Sequence, residues 1–290
     1  MAQQKTYQTA KAFREALESR LKTIALAEGK ALQRLRRQVA FDRLLARLFH
    51  RSPSPFALKG GYALELRIQT ARATKDIDLT LRSTEILKEK KELGEFFRDL
   101  LIRDASIELN DHFSFLVGGQ MLDLEAVPYG GARFPVESRI DERSFVKFHV
   151  DVAAGDYPIE PLETLTSRDW LEFAQIPSKD VVTIPKEQQF AEKLHAYTRP
   201  RTVANSRARD LIDIILLIDN QKLDTVRVID ALKKTFKRRK SHSLPKTLEP
   251  PPADWTERFD TMAKECNLPH DIGWAFKILQ SYFAVINGGK

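Results

Sequence analysis

Two hydrophobic periods divide this chain. Over residues 8–28 and 30–50 apolar side chains recur at helical spacing, and Phe41, Leu44, Leu45 and Leu48 fall at i, i+3, i+4 and i+7. The two stretches meet at Glu28-Gly29-Lys30 and read as two helices, or as one long helix weakened at Gly29. Ser52-Pro-Ser-Pro55 ends the second. A period of two then takes over. Residues 56–58 read as the end of a short buried strand. Over 76–81 Asp76, Asp78 and Thr80 share one strand face while Ile77, Leu79 and Leu81 share the other. Between these strands Gly60-Gly61 permits a tight turn and a close approach of backbone to ligand, and 62–67 reads as the first turns of a helix.

Ser83 or Thr84 can cap a following helix that runs to about Asp104, with Glu85 suiting its start. Strands are predicted over 106–117, 120–127 and 132–140, separated by Gly118-Gly119 and by the turn at 128–131. In 145–153 Val146, Phe148, Val150 and Val152 face a core, and Lys147, His149 and Asp151 face water or a cleft. Beyond Pro158 and Pro161 the pattern turns helical. Helices are expected at 187–198, 207–219, 224–238, 255–265 and 270–286, with a basic loop at 199–206 and a proline-rich link at 243–253. The fold class is therefore α/β (α+β), with a mixed part at 1–180 and a helical part at 181–290.

Composition narrows the function classes. At 290 residues, 42% hydrophobic and 30% charged, the chain is globular, and its formal charge of +7 favours an acidic partner such as nucleotide, RNA or DNA. A single cysteine, Cys266, rules out an intramolecular disulfide or a multi-cysteine zinc site. No signal-like leader and no run of about eighteen apolar residues is present, so a reducing cytoplasm and no membrane are expected. P-loop, dinucleotide-binding, zinc-peptidase and serine-hydrolase motifs are all missing.

What remains is acidic. Asp76 and Asp78 on one strand face repel unless a cation sits between them, and paired carboxylates with open positions suit Mg²⁺ and a polyphosphate. Asp151 or Asp123 can supply a third acid, and Asp151 lies on the cleaner polar strand face. His149 shares that face. Asp210 suits a helix N-terminus. Asp213, set among Ile and Leu, requires a paired charge from Arg209 or Lys193. Lys193 lies at the edge of the stripe formed by Phe190, Leu194 and Tyr197, either snorkelling or reaching phosphate. His195 reads as a packing or surface group. Arg36, Arg43 and Arg47 share a second helix face, read as solvated, with phosphate-backbone contact as the alternative.

The ordered set 58–64 (Leu-Lys-Gly-Gly-Tyr-Ala-Leu), 72–79 (Arg-Ala-Thr-Lys-Asp-Ile-Asp-Leu), 150–152 (Val-Asp-Val), 191–196 (Ala-Glu-Lys-Leu-His-Ala) and 207–213 (Arg-Ala-Arg-Asp-Leu-Ile-Asp) resembles the AbiEii-type nucleotidyltransferase toxins of type IV toxin–antitoxin and abortive-infection systems. The resemblance implies a polymerase-β-like mixed sheet with flanking helices, followed by a helical C-terminal domain. It implies Mg²⁺, one ion or two, on Asp76, Asp78 and Asp151. It further implies nucleotide binding by Lys59, Gly60, Gly61, Thr74 and Arg207, phosphate contact by Lys193, and a site completed by Asp210. The expected reaction moves a nucleoside monophosphate from an NTP to an acceptor hydroxyl, with RNA (tRNA) as acceptor, growth inhibition as outcome and an antitoxin protein as partner. Two alternatives stand beside it. One is an inert nucleotide- or RNA-binding module, and the other is a different Asp-x-Asp metal-dependent phosphoryl or glycosyl transferase.

Overall fold

The computed structural model describes residues 7–83, 92–124, 130–155, 158–200 and 207–288. Their contacts divide into two compact units. The first comprises the described parts of 1–58, 73–157 and 164–183, and the second those of 59–72, 158–163 and 184–290.

In the first unit, helices α1 (Ala10–Glu28) and α2 (Leu32–Leu48) precede the sheet. Gly29 lies between them at φ +62°, a left-handed position that ends α1, so the periodic stretch is two helices. The sheet has the order β3-β5-β6-β2-β1-β8-β7, with β4 also pairing β5. Its strands are β1 (Phe56–Lys59), β2 (Asp76–Leu81), β3 (Phe113–Val117), β4 (Leu122–Asp123), β5 (Gly131–Ile140), β6 (Arg143–Ala153), β7 (Glu163–Thr166) and β8 (Asp180–Thr183). Pairing is parallel for β2–β6 and β1–β8 and antiparallel for β5–β6 and β3–β5. The α2 stripe Phe41, Leu44, Leu45 and Leu48 is buried, and Phe41 meets Phe148 of β6 edge-on at 4.9 Å between ring centres. The apolar face of β6 is thereby covered, and the polar face of the same strand carries His149 and Asp151. Helix α4 (Leu93–Ala105) ends where expected; its anticipated start over 84–91 lies outside the described residues, as do 125–127 of the predicted 120–127 strand.

Two sequence expectations fail here for one reason. Residues 106–112 are not strand: Asn110 and His112 take φ of 52° and 61°, and the chain turns inward to bury Asp111. Asp111 accepts from Arg43 Nε at 2.8 Å and from Arg47 Nη1 and Nη2 at 2.9 and 2.6 Å. Arg43 and Arg47 are therefore buried ion-pair partners, and neither a solvated face nor a phosphate-binding one. Arg36 pairs with Glu18 at 2.6 Å.

The second unit is helical. Its core gathers Leu64 and Ile68 with apolar residues of α5 (Lys186–Thr198), α6 (Ala208–Asn220), α7 (Thr225–Arg239), α8 (Thr256–Glu265) and α9 (Ile272–Gly288). Helix α3 (Gly60–Arg67) belongs to it. Among the described residues no helix is long and apolar enough to cross a membrane.

Removing Asp111 leaves two buried guanidinium groups without a counter-charge. Asp111→Ala should lower unfolding free energy by about 3–5 kcal/mol, measured by urea denaturation. Burial alone would raise the Asp111 carboxyl, but Arg47 and Arg43 hold it below its ordinary 3.8. A depressed carboxyl supplies stability that is complete above the unfolded value and is lost as pH falls through the folded one. The wild type should thus lose this contribution on acidification below about pH 4, and Asp111→Ala should show a shallower acid limb.

Candidate active site

Sheet register builds the acidic centre. Across the parallel pair β2–β6, Asp76 lies opposite His149 and Asp78 opposite Asp151. Across the antiparallel pair β5–β6, Pro135 lies opposite His149 and Arg133 opposite Asp151. Directly opposed residues project to the same side of a sheet. One face therefore carries two adjacent rows, Arg133–Asp151–Asp78 and Pro135–His149–Asp76.

Arg133 grips Asp151 with both arms of its fork, Nε to Oδ1 at 2.7 Å and Nη2 to Oδ2 at 2.8 Å, and Nη2 lies 3.5 Å from Asp76 Oδ2. His149 Nδ1 donates to Asp76 Oδ1 at 3.2 Å. Hydrogen bonding to Asp151 raises the Arg133 pKa, with Asp76 and Asp78 adding to it against partial burial. Three carboxylates thus share this face with the Arg133 guanidinium.

Asp123 does not join these rows. It pairs with Ala132, one residue off the Arg133 row and so on the opposite face, where it is exposed and accepts from Gln120 Nε2 at 2.6 Å. Thr74 is half-buried two residues before β2.

The oxygen donors of Asp76, Asp78 and Asp151 suit a hard divalent cation in type, and the register sets them side by side. As they stand, Arg133 occupies Asp151. Among the described residues, no three His, Cys, Asp or Glu side chains gather closely enough to cage a metal ion.

The second unit holds the remaining candidates. Strand β1 passes into α3 with no intervening loop, because Gly60 takes φ +68°, a conformation only glycine adopts without strain. The Gly60 carbonyl accepts from Gln189 Nε2 at 2.8 Å. Lys59 Nζ lies 4.0 Å from Glu192, which Arg239 also approaches at 3.3 Å. Lys193 Nζ sits 2.7 Å from Asp213 and 3.2 Å from Asp210, and Arg207 Nη1 reaches Asp210 at 3.1 Å. Asp213 also takes a bidentate contact from Arg72, at 2.9 and 2.8 Å. Of the two partners the sequence offered for Asp213, Lys193 serves; Arg209 points to solvent, and Arg72 takes its place.

Burial pushes Lys193 down and the Asp213 carboxyl up, yet their mutual attraction, with Arg72 and Asp210, wins. Lys193 ends above its ordinary value and Asp213 below. His195 is a packing residue: it is buried edge-on to Phe236 at 4.9 Å and hydrogen-bonded to Ser241 at 2.8 Å. The basic loop expected at 199–206 lies, from 201 on, outside the described residues.

A mixed sheet with an Asp-x-Asp strand and a third acid on the adjoining strand fits a nucleotidyltransferase, the class that the family match shows. Residues 43–278 match the family described as nucleotidyl transferase AbiEii toxin, type IV TA system, and the chain belongs to that family. Among solved structures it resembles the MenT4 nucleotidyltransferase toxin from Mycobacterium tuberculosis, with TM-score 0.55, 17% identity, and 93% of this chain and 98% of that one covered. It also matches JHP933 from Helicobacter pylori, with TM-score 0.48, 14% identity, and 89% and 94% covered. No curated protein sequence gives a significant match.

The two acid sets differ in what they do for the fold, and substitution separates them. Asp213→Asn takes the bidentate partner from Arg72 and leaves Lys193 with Asp210 alone, and should cost about 3 kcal/mol in urea unfolding. Asp78→Asn removes a repelling charge from a half-buried row. It should leave the melting temperature unchanged or raise it, as differential scanning fluorimetry would show.

Proposed function

We propose that the acid rows are the reaction centre of a divalent-metal-dependent nucleotidyltransferase that moves a nucleoside monophosphate from an NTP to an acceptor hydroxyl. The carrying observation is the placement of Asp76, Asp78 and Asp151 side by side on one face of β2 and β6. Mg²⁺ held by these carboxylates would supply charge neutralisation at the triphosphate and a lowered pKa at the attacking hydroxyl.

The chain's own residues do the rest. The three aspartates would hold the cation, and the apolar face of β6 packs on α2 behind them. Gly60 and Gly61 bring unhindered backbone, with the N-terminal amides of α3, to phosphate oxygens, and Lys59 and Thr74 assist them. Lys193 serves as a phosphate contact that its aspartate neighbours keep in the ammonium form. Asp210 fixes Lys193 and Arg207. RNA, in particular tRNA, is the acceptor class that the family resemblance implies, and a net charge of +7 suits a polyanion. Family membership supports growth inhibition as the outcome and an antitoxin protein as partner.

Incubation with α-labelled NTPs, Mg²⁺ and total tRNA should label an RNA band and release pyrophosphate, and EDTA should stop both. Asp76→Asn and Asp78→Asn should each reduce transfer by about a thousandfold or more, the scale at which a transition-state charge stabiliser is lost. Binding of NTP without pyrophosphate release would replace transfer by a binding role, and labelled protein in place of RNA would overturn the acceptor.

A further inference from the structure

The acids of the centre are not waiting empty-handed. Arg133 fits Asp151 with two parallel bonds at 2.7 and 2.8 Å, and Asp76 lies within 3.5 Å of the same nitrogen that holds Asp151. A guanidinium is charged at every working pH and matches a carboxylate in a planar fork, which no lysine does. Its side chain is about a third exposed (29%), so it borders solvent into which it can swing without unpacking the core. Its position is also specified. Asp141 and Glu142, both at φ 56°, form the two-residue turn between β5 and β6, and that turn alone would place Arg133 opposite Val150. One extra residue on β6 shifts the register at Ser138/Arg139 and brings Arg133 opposite Asp151. The Ser138 hydroxyl closes the gap, donating to the Val146 carbonyl at 3.0 Å and accepting from the Val146 amide at 3.1 Å.

We propose that Arg133 is a built-in counter-cation of the acid rows, holding Asp151 and Asp76 until a divalent cation takes those carboxylates. Metal binding at this centre is then an exchange of one cation for another and not the filling of a vacant cage. This inference rests on the metal role of the acid rows proposed above. It adds that the protein without metal is stabilised by Arg133, and that the cost of displacing Arg133 sets how much metal the centre demands.

The test is Mn²⁺ binding, read by electron paramagnetic resonance on the full chain without nucleotide, together with melting temperatures with and without Mn²⁺. Removing one charge-assisted bidentate competitor should make Arg133→Met bind Mn²⁺ about tenfold tighter or more. The same variant should melt lower than wild type without metal and regain the difference with it. Arg133→Lys, which keeps the charge but loses the fork, should fall between the two and decides the question if the methionine variant does not fold. A purely structural arginine would lower the melting temperature without tightening Mn²⁺ binding, and that result overturns the proposal. If Asp76→Asn and Asp78→Asn lose Mn²⁺ while the Arg133 variants bind as wild type does, the metal role stands and the counter-cation fails. If the two aspartate variants bind Mn²⁺ as tightly as wild type, the metal role fails and takes the counter-cation with it.

Discussion

The parallel pairing of Asp78 with Asp151, and of Asp76 with His149, is the constraint that sets the acid rows side by side. Strands lie about 4.8 Å apart, and two carboxylates at about 5 Å repel by about 3 kcal/mol at an effective dielectric near 20, less where water screens them. A sheet does not hold three such groups on one face without a compensating charge. Arg133 supplies part of that charge, and a divalent cation at the rows would supply more. The apolar side of β6, packed on α2, holds the backbone that carries Asp151 and His149.

A different electrostatic problem is solved in the helical unit. There Asp213 is fully buried, and its two cationic partners come from α5 and from the segment after α3. Every charge in that set has an opposite neighbour, so the network joins elements that are far apart in sequence. It also keeps Lys193 charged. The Arg43–Arg47–Asp111 cluster does the same for the first unit, drawing residues 106–112 out of the sheet and against α2.

Much of this was legible in the sequence because period-two and period-3.6 patterns are strong where one face is buried. The strand 76–81, the two N-terminal helices and the five C-terminal helices follow their apolar stripes closely. The candidate acids stood out because carboxylates at i and i+2 on a strand carry their own electrostatic cost. Buried arginines were the blind spot. Arg43 and Arg47 look like any solvated pair until a distant Asp111 is seen to claim them, and charge pairing across more than sixty positions leaves no local pattern. Arg72 lay inside a recognised stretch, yet only the tertiary fold sets it against Asp213. Arg133 was hidden by a bulge. Its one available signal was that pairing Phe134 with Val150 and Val136 with Phe148 keeps apolar residues together, and that pairing places Arg133 beside Asp151.

What occupies the acid rows when substrate is present decides their role. The most direct measurement is a crystal structure with Mn²⁺ and a non-hydrolysable NTP, with anomalous data collected at the manganese edge. A peak in contact with Asp76, Asp78 and Asp151, with the Arg133 guanidinium withdrawn from Asp151, is the predicted result. Manganese and triphosphate bound elsewhere, with Arg133 still clamped on Asp151, would contradict it.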